Sequence, residues 1–167
     1  MVGHGGARAG VVMARRIGQY FTDDEFECGC GCGAKLVHLR LVEILDAVRG
    51  KLGVGVQVNS GVRCRAWNKH VGSKYPNSYH VPRSMQVDGS AIELGLAADI
   101  TLSRHSHRQP INILRLYALL ESLSRPTAIG LGLYPSWCHI DVRGLCGGPG
   151  GSPAPARWEV QFPFPRL

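Results

Sequence analysis

Three side chains in this sequence, His80, Asp99 and His139, are of the types that bind a divalent metal, and each has motif-like surroundings. His80 closes Ser78-Tyr79-His80, Asp99 closes Gly95-Leu96-Ala97-Ala98-Asp99 ahead of an apolar stretch, and His139 lies in Trp137-Cys138-His139-Ile140-Asp141. Two imidazoles and a carboxylate fill three corners of a tetrahedral Zn²⁺ site and leave the fourth to water, the arrangement of a catalytic zinc. Such an ion lowers the pKa of its water to about 7 and polarises a carbonyl, and both effects suit amide hydrolysis. A single His or Asp beside a strand is more often a hydrogen-bonded structural residue. It is the set of three that points to metal.

Further residues could serve such a centre. Arg63 ends Asn59-Ser60-Gly61-Val62-Arg63, and a guanidinium pairs bidentately with a carboxylate; it is a candidate for catalysis and for holding a substrate carboxylate. The alternative is an ion pair with Asp23, Asp24 or Glu27. Ser78 is a candidate substrate-binding residue that steadies the His80 loop, or else a turn-forming serine. Asp141 is two residues from His139 along a strand and so on the same face. That placement suits either the catalytic base or a group that orients His139. Asp88, between His80 and Asp99, rivals Asp99 as a ligand.

Ser78-Tyr79-His80, Gly95-Leu96-Ala97-Ala98-Asp99-Ile100 and the run from Tyr134 to Arg143 resemble the zinc-binding motifs of the zinc D-alanyl-D-alanine carboxypeptidases. Phage L-alanyl-D-glutamate endopeptidases belong to the same group, whose fold is shared with the hedgehog signalling domain. Phe21-Thr22-Asp23-Asp24-Glu25-Phe26 and Asn59-Ser60-Gly61-Val62-Arg63-Cys64 fit the upstream part of the pattern, so the resemblance spans roughly Tyr20 to Arg143. It implies a hedgehog/DD-peptidase-like α+β domain, a Zn²⁺ held by His80, Asp99 and His139, and a peptidoglycan stem peptide as substrate, cleaved by carboxypeptidase or endopeptidase action. The sequence departs from the pattern twice. Residues 81–98 make a longer interval between the first His and the Asp than in many relatives. Ser136 stands where several relatives carry the acid of catalysis, which leaves Asp141, and more distantly Glu93, for that role. These departures keep a second reading open, a non-catalytic zinc-stabilised binding domain of the same fold.

There are six cysteines, at 28, 30, 32, 64, 138 and 146. Cys28-Gly29-Cys30-Gly31-Cys32 is tighter than the usual two to four residues between paired zinc thiolates, and only Cys28 and Cys32 have that spacing. The resemblance implies a structural staple at this turn, reaching Cys64; a second, structural metal is the alternative.

The elements that must position these groups are legible from periodicity. Val37, Leu41, Ile44, Leu45, Val48 and Leu52 recur at helical spacing, predicting an amphipathic helix over about 34–52 that ends near Gly53. His38 falls on its surface. Val54, Val56 and Val58 alternate with Gly55 and Gln57 as a half-buried strand. A polar loop covers 65–79, a strand carrying Asp99 runs over 97–102, and Pro110 opens a helix buried over 111–123. Strands over 128–134 and 137–142 pair, and Trp158 to Phe162 form a short terminal strand. Helices packed on a small, mostly antiparallel sheet give a single α+β domain over 18–167, with an insertion near 81–93 and a Gly/Pro-rich excursion over 147–156. Residues 1–17, rich in Gly, Ala and Arg, read as a flexible leader. His105 and His107 read as a basic helix entry rather than ligands.

Composition excludes several classes. No apolar run approaches the roughly 20 residues of a membrane span. Residues 9–14 are too short for a signal-peptide core of about 7–15 residues, so no cleaved signal is expected. A phage protein that stays cytoplasmic until lysis and then acts on the cell wall fits that reading. A net charge of +7 and a pI near 9.4 favour anionic partners such as wall polymers. The basic residues are scattered rather than gathered into a nucleic-acid footprint, so no nucleic acid is expected. The domain reads as a monomer.

Overall fold

The computed structural model describes residues 14–73, 77–103, 110–124, 129–145 and 156–159. Residues 1–13 of the expected leader, His105 and His107, and 147–155 of the Gly/Pro-rich excursion lie outside them. The chain is already bonded to the fold at Arg15, whose N–H donates to Asp23 at 2.8 Å, and at Arg16, which bridges to Thr22.

Thr22 caps a short 3-10 helix, Asp23–Phe26, with the Glu25 carboxylate accepting from the Thr22 N–H at 2.8 Å. The helix α1 (Leu39–Leu52) starts later than periodicity predicts. His38 is its N-cap, with Nδ1 accepting from Arg40 N–H at 3.1 Å, and Val37 pairs with Gly95 instead of joining the helix. Its end is as expected, on Gly53 in the left-handed region, where a glycine carries no Cβ penalty.

The rest of the chain gives β1 (Val56–Ser60), α2 (Arg65–His70), β2 (Arg83–Val87), β3 (Ser90–Leu94), β4 (Ala97–Leu102), α3 (Pro110–Ser124), β5 (Gly130–Leu133), β6 (Cys138–Asp141) and β7 (Ala156–Glu159). Five strands form one sheet in the order β1-β4-β6-β5-β7, antiparallel throughout except for the parallel pair β5–β7. The polar loop contains the short helix α2. The insertion is a separate hairpin, β2–β3, turning on Asp88 and Gly89, both at positive φ, as a two-residue hairpin loop demands. The fold is α+β.

The sheet has one apolar and one polar face, as the strand period of two requires. Ile100, Ile140 and Leu131 are fully buried, and so are Leu116 and Leu120 of α3 and Leu41 and Leu45 of α1, all in one core cluster. The alternate residues Asp99 and His139 point the other way, to the site. In β5 the alternation is Gly-Leu-Gly-Leu. Leu131 and Leu133 enter the core, while Gly130 and Gly132 pair with Asp141 and His139. A Cβ on Gly130 would collide with the Asp141–Arg143 pair, and one on Gly132 with the Trp158 indole. The two glycines therefore make room for the functional face.

Candidate metal centre

The pairing of β4 with β6 puts two of the three donors side by side. Asp99 on β4 and His139 on β6 are direct cross-strand partners. His80 arrives from the turn after Ser78, held by backbone bonds on both sides: Arg63 N–H donates to His80 O at 2.9 Å, and Leu96 N–H to Tyr79 O at 3.0 Å. Ser78 Oγ accepts from the His80 N–H at 3.3 Å, a local turn contact that shapes the loop. Among the described residues, His80, Asp99 and His139 are one of two groups whose donor atoms converge. Asp88 is exposed at the tip of the β2–β3 hairpin, and Glu93 is exposed on β3.

The hydrogen bonds assign the ring nitrogens. His80 Nδ1 lies 2.6 Å from Gly61 O, which can only accept, so Nδ1 carries the proton and Nε2 a lone pair. His139 has a carboxylate at each nitrogen, Nε2 at 3.2 Å from Asp141 Oδ2 and Nδ1 at 2.8 Å from Asp99 Oδ1; with the proton on Nε2, Nδ1 faces the cluster as an acceptor. His80 Nε2 is then 3.3 Å from His139 Nδ1 and 3.3 Å from Asp99 Oδ1, with Nδ1 to Oδ1 at 2.8 Å. In that tautomer three acceptors face one another, an arrangement that a shared cation satisfies; with the proton on Nδ1, the 2.8 Å contact is a hydrogen bond to Asp99. A tetrahedral ion with bonds of about 2.0–2.1 Å sets its donors about 3.3 Å apart; the donor types and two of the three separations match zinc, and the third, at 2.8 Å, is shorter.

Electrostatics treat the two rings differently. Burial holds the His80 imidazole below its ordinary pKa despite the Asp99 carboxylate, which keeps it neutral and ligand-competent. Burial also opposes charge on His139, but its hydrogen bonds to the Asp141 and Asp99 carboxylates outweigh it and raise that pKa. Burial would raise Asp99, yet the two imidazoles hold it well below the carboxylate range. An ionised carboxylate set between two imidazoles is a setting that suits a cation.

A second layer surrounds it. Asp141 is fully buried; burial would raise its pKa, but Arg143 and His139 hold it down at about 2. Arg143 grips it with a fork, Nε to Oδ1 at 2.8 Å and Nη2 to Oδ2 at 2.6 Å. The Arg143 guanidinium lies over the rings of Tyr79 and Trp158, and Trp158 on β7 approaches His139 with centroids 5.2 Å apart. Arg63 is placed beside Asp99, not beside Asp23, Asp24 or Glu27: Nη2 pairs with Asp99 Oδ2, and Nε donates to Ser60 Oγ at 2.7 Å. Lys35 takes Asp23 and Asp24 instead. Ser136 is exposed in the β5–β6 turn.

Sequence reasoning gave no role to Gly61, Arg143 or Trp158. The Gly61 contribution is a backbone carbonyl, for which no side-chain signal exists. Arg143 had one, since Asp-x-Arg at the end of a strand places acid and guanidinium on one side. Trp158 reaches the site only because β7 adds to the far edge of the sheet.

No curated protein and no solved structure matches the chain. A family model described as Peptidase M15 matches residues 19–141, a span that contains Arg63, His80, Asp99, His139 and Asp141 and covers well over half of the chain. The chain belongs to the Peptidase M15 family, a family of zinc metallopeptidases.

Proposed function

We propose that this protein is a zinc-dependent hydrolase of amide bonds in peptidoglycan stem peptides, with His80, Asp99 and His139 as the metal ligands. The observation that carries the reading is the convergence of His80 Nε2, Asp99 Oδ1 and His139 Nδ1 within 3.3 Å. Bound there, Zn²⁺ would supply a water of lowered pKa and a Lewis acid for the scissile carbonyl. The chain's own residues do the positioning. Gly61 O fixes the His80 tautomer and Asp141 fixes that of His139, the outer support that metal-binding histidines require. Of the two roles open to Asp141, its sealed contact with Arg143 supports orientation over proton transfer to water.

Arg63 is the substrate-side candidate. Its Nη2 steadies Asp99, and among the described residues no hydrogen bond engages Nη1. That N–H is available to a carboxylate or carbonyl of the stem peptide. Ser78 acts through the His80 loop. The basic surface favours approach to an anionic wall.

One observation favours the second reading, a zinc-stabilised binding domain: both carboxylates of the cluster are already engaged, Asp99 by Arg63 and the two rings, Asp141 by Arg143. Incubating the zinc-loaded protein with purified peptidoglycan, and analysing the soluble products by mass spectrometry, separates the two. Release of D-Ala identifies a carboxypeptidase and release of whole stem fragments an endopeptidase, each abolished by chelation. Wall binding without new termini would make this a recognition domain.

A further inference from the structure

The other convergent group of donors lies away from the histidines, where the turn after the 3-10 helix meets the exit of β1. Cys28, Cys30, Cys32 and Cys64 bring all four Sγ atoms within 4.8 Å of one another. We propose that these four thiolates bind a second Zn²⁺, as a structural S4 site. A tetrahedral ion with Zn–S bonds of about 2.3 Å sets its sulfurs about 3.8 Å apart, and the contacts Cys28–Cys30 and Cys30–Cys64 are 3.4 and 3.6 Å.

Backbone winding explains how so tight a spacing reaches a common point. Gly31 and Gly33 both sit at positive φ, where other residues are strained, and Gly31 N–H closes a turn on Cys28 O at 2.9 Å. The loop is anchored by Cys28 N–H to Ala34 O at 2.8 Å and by Val62 N–H to Phe26 O at 2.9 Å, the second bond bringing the Cys64 segment alongside. Gly61 makes that approach possible, since a Cβ there would meet the Phe26 backbone at 2.6 Å.

Two features favour a shared ion over disulfides. The two short sulfur contacts share Cys30, so they cannot both become disulfides, whereas one ion engages all four sulfurs. Backbone N–H groups also point at sulfur: Cys64 N–H to Cys28 Sγ at 3.3 Å and Trp67 N–H to Cys64 Sγ at 3.4 Å. Such donors stabilise thiolates, as the outer contacts of a metal site do. Coordination transfers the thiol protons to solvent and needs no oxidant.

The site clamps the turn at 28–32 to the residue after Arg63, and so to the strand exit that carries Gly61 O and Arg63. It is independent of the catalytic reading, and the test keeps the two apart. The full chain carrying His80→Ala and His139→Ala, purified reduced and loaded with Zn²⁺, should retain one zinc per chain. Its Co²⁺ form should show intense sulfur-to-metal charge-transfer absorption. In wild type, a mercurial that titrates thiols should release one zinc per chain in step with the reaction, a measurement that needs no cysteine variant to fold. Adding Cys28→Ser and Cys64→Ser to the first variant should remove the remaining ion. No zinc in the reduced His80→Ala/His139→Ala chain, a cobalt spectrum without thiolate bands, or a disulfide among these four in the native protein overturns the proposal.

Discussion

Replacing Asp141 by Asn keeps the side chain's shape but removes one charged acceptor for the His139 Nε2–H and weakens the fork to Arg143. If Asp141 orients His139, zinc affinity should fall roughly 10–100-fold, and turnover should recover at excess Zn²⁺. A loss of about 10²–10⁴-fold at saturating zinc would make it the base. Equilibrium zinc titration and turnover at saturating metal decide between these. Asp99→Ala should cost one zinc per chain by metal analysis, whereas Asp88→Ala should cost none, because Asp88 is exposed at the hairpin tip. Arg63→Lys should weaken turnover on carboxylate-bearing stem peptides with metal content unchanged, since a lysine cannot serve Ser60 Oγ, Asp99 and a substrate carboxylate with one fork. Unchanged kinetics would confine Arg63 to its contact with Asp99. The convergent triad was legible in the sequence because Gly-x-Ala-x-Asp before a strand distinguishes Asp99 from Asp88. The pairing of Arg63 with Asp99 was not, because it joins residues 36 apart and rests on the register of β1 against β4.

At the level of elements, β5 carries the sharpest demand. Gly130→Ala would drive a methyl into the Asp141–Arg143 pair, and overpacking of this kind costs about 1–3 kcal/mol; a lower melting temperature together with weaker zinc binding is expected. Gly89→Ala strains the hairpin turn by roughly 1–2 kcal/mol and should leave zinc content intact, which thermal denaturation and metal analysis check together. Strands with a buried face, such as β4, were readable from their apolar run. The β2–β3 hairpin was not, because most of its positions are exposed and hydrophobic alternation has nothing to record there. Its one signal was the Asp88-Gly89 pair, a strong hairpin marker in its own right. The start of α1 was misplaced for a related reason: Val37 is apolar at helical spacing but is buried by pairing with Gly95.

For the whole molecule, a metal bound by His80, Asp99 and His139 would be linked to the fold. An ion that binds the native state alone stabilises it by about 4.1 kcal/mol at a thousand times its dissociation constant. Chelation should therefore lower the melting temperature of wild type, and His80→Ala should reduce that drop, as calorimetry with and without chelator would record. The sheet order β1-β4-β6-β5-β7 puts Asp99 and His139 on neighbouring strands with further strands on both sides. Their amide hydrogens should exchange with deuterated solvent only when the whole domain opens, alongside the slowest in the protein. His80 comes from a turn, and its amide should exchange earlier. A metal ion leaving this centre would then do so through the turn, one ligand at a time, while the paired strands keep the other two donors in place for its return.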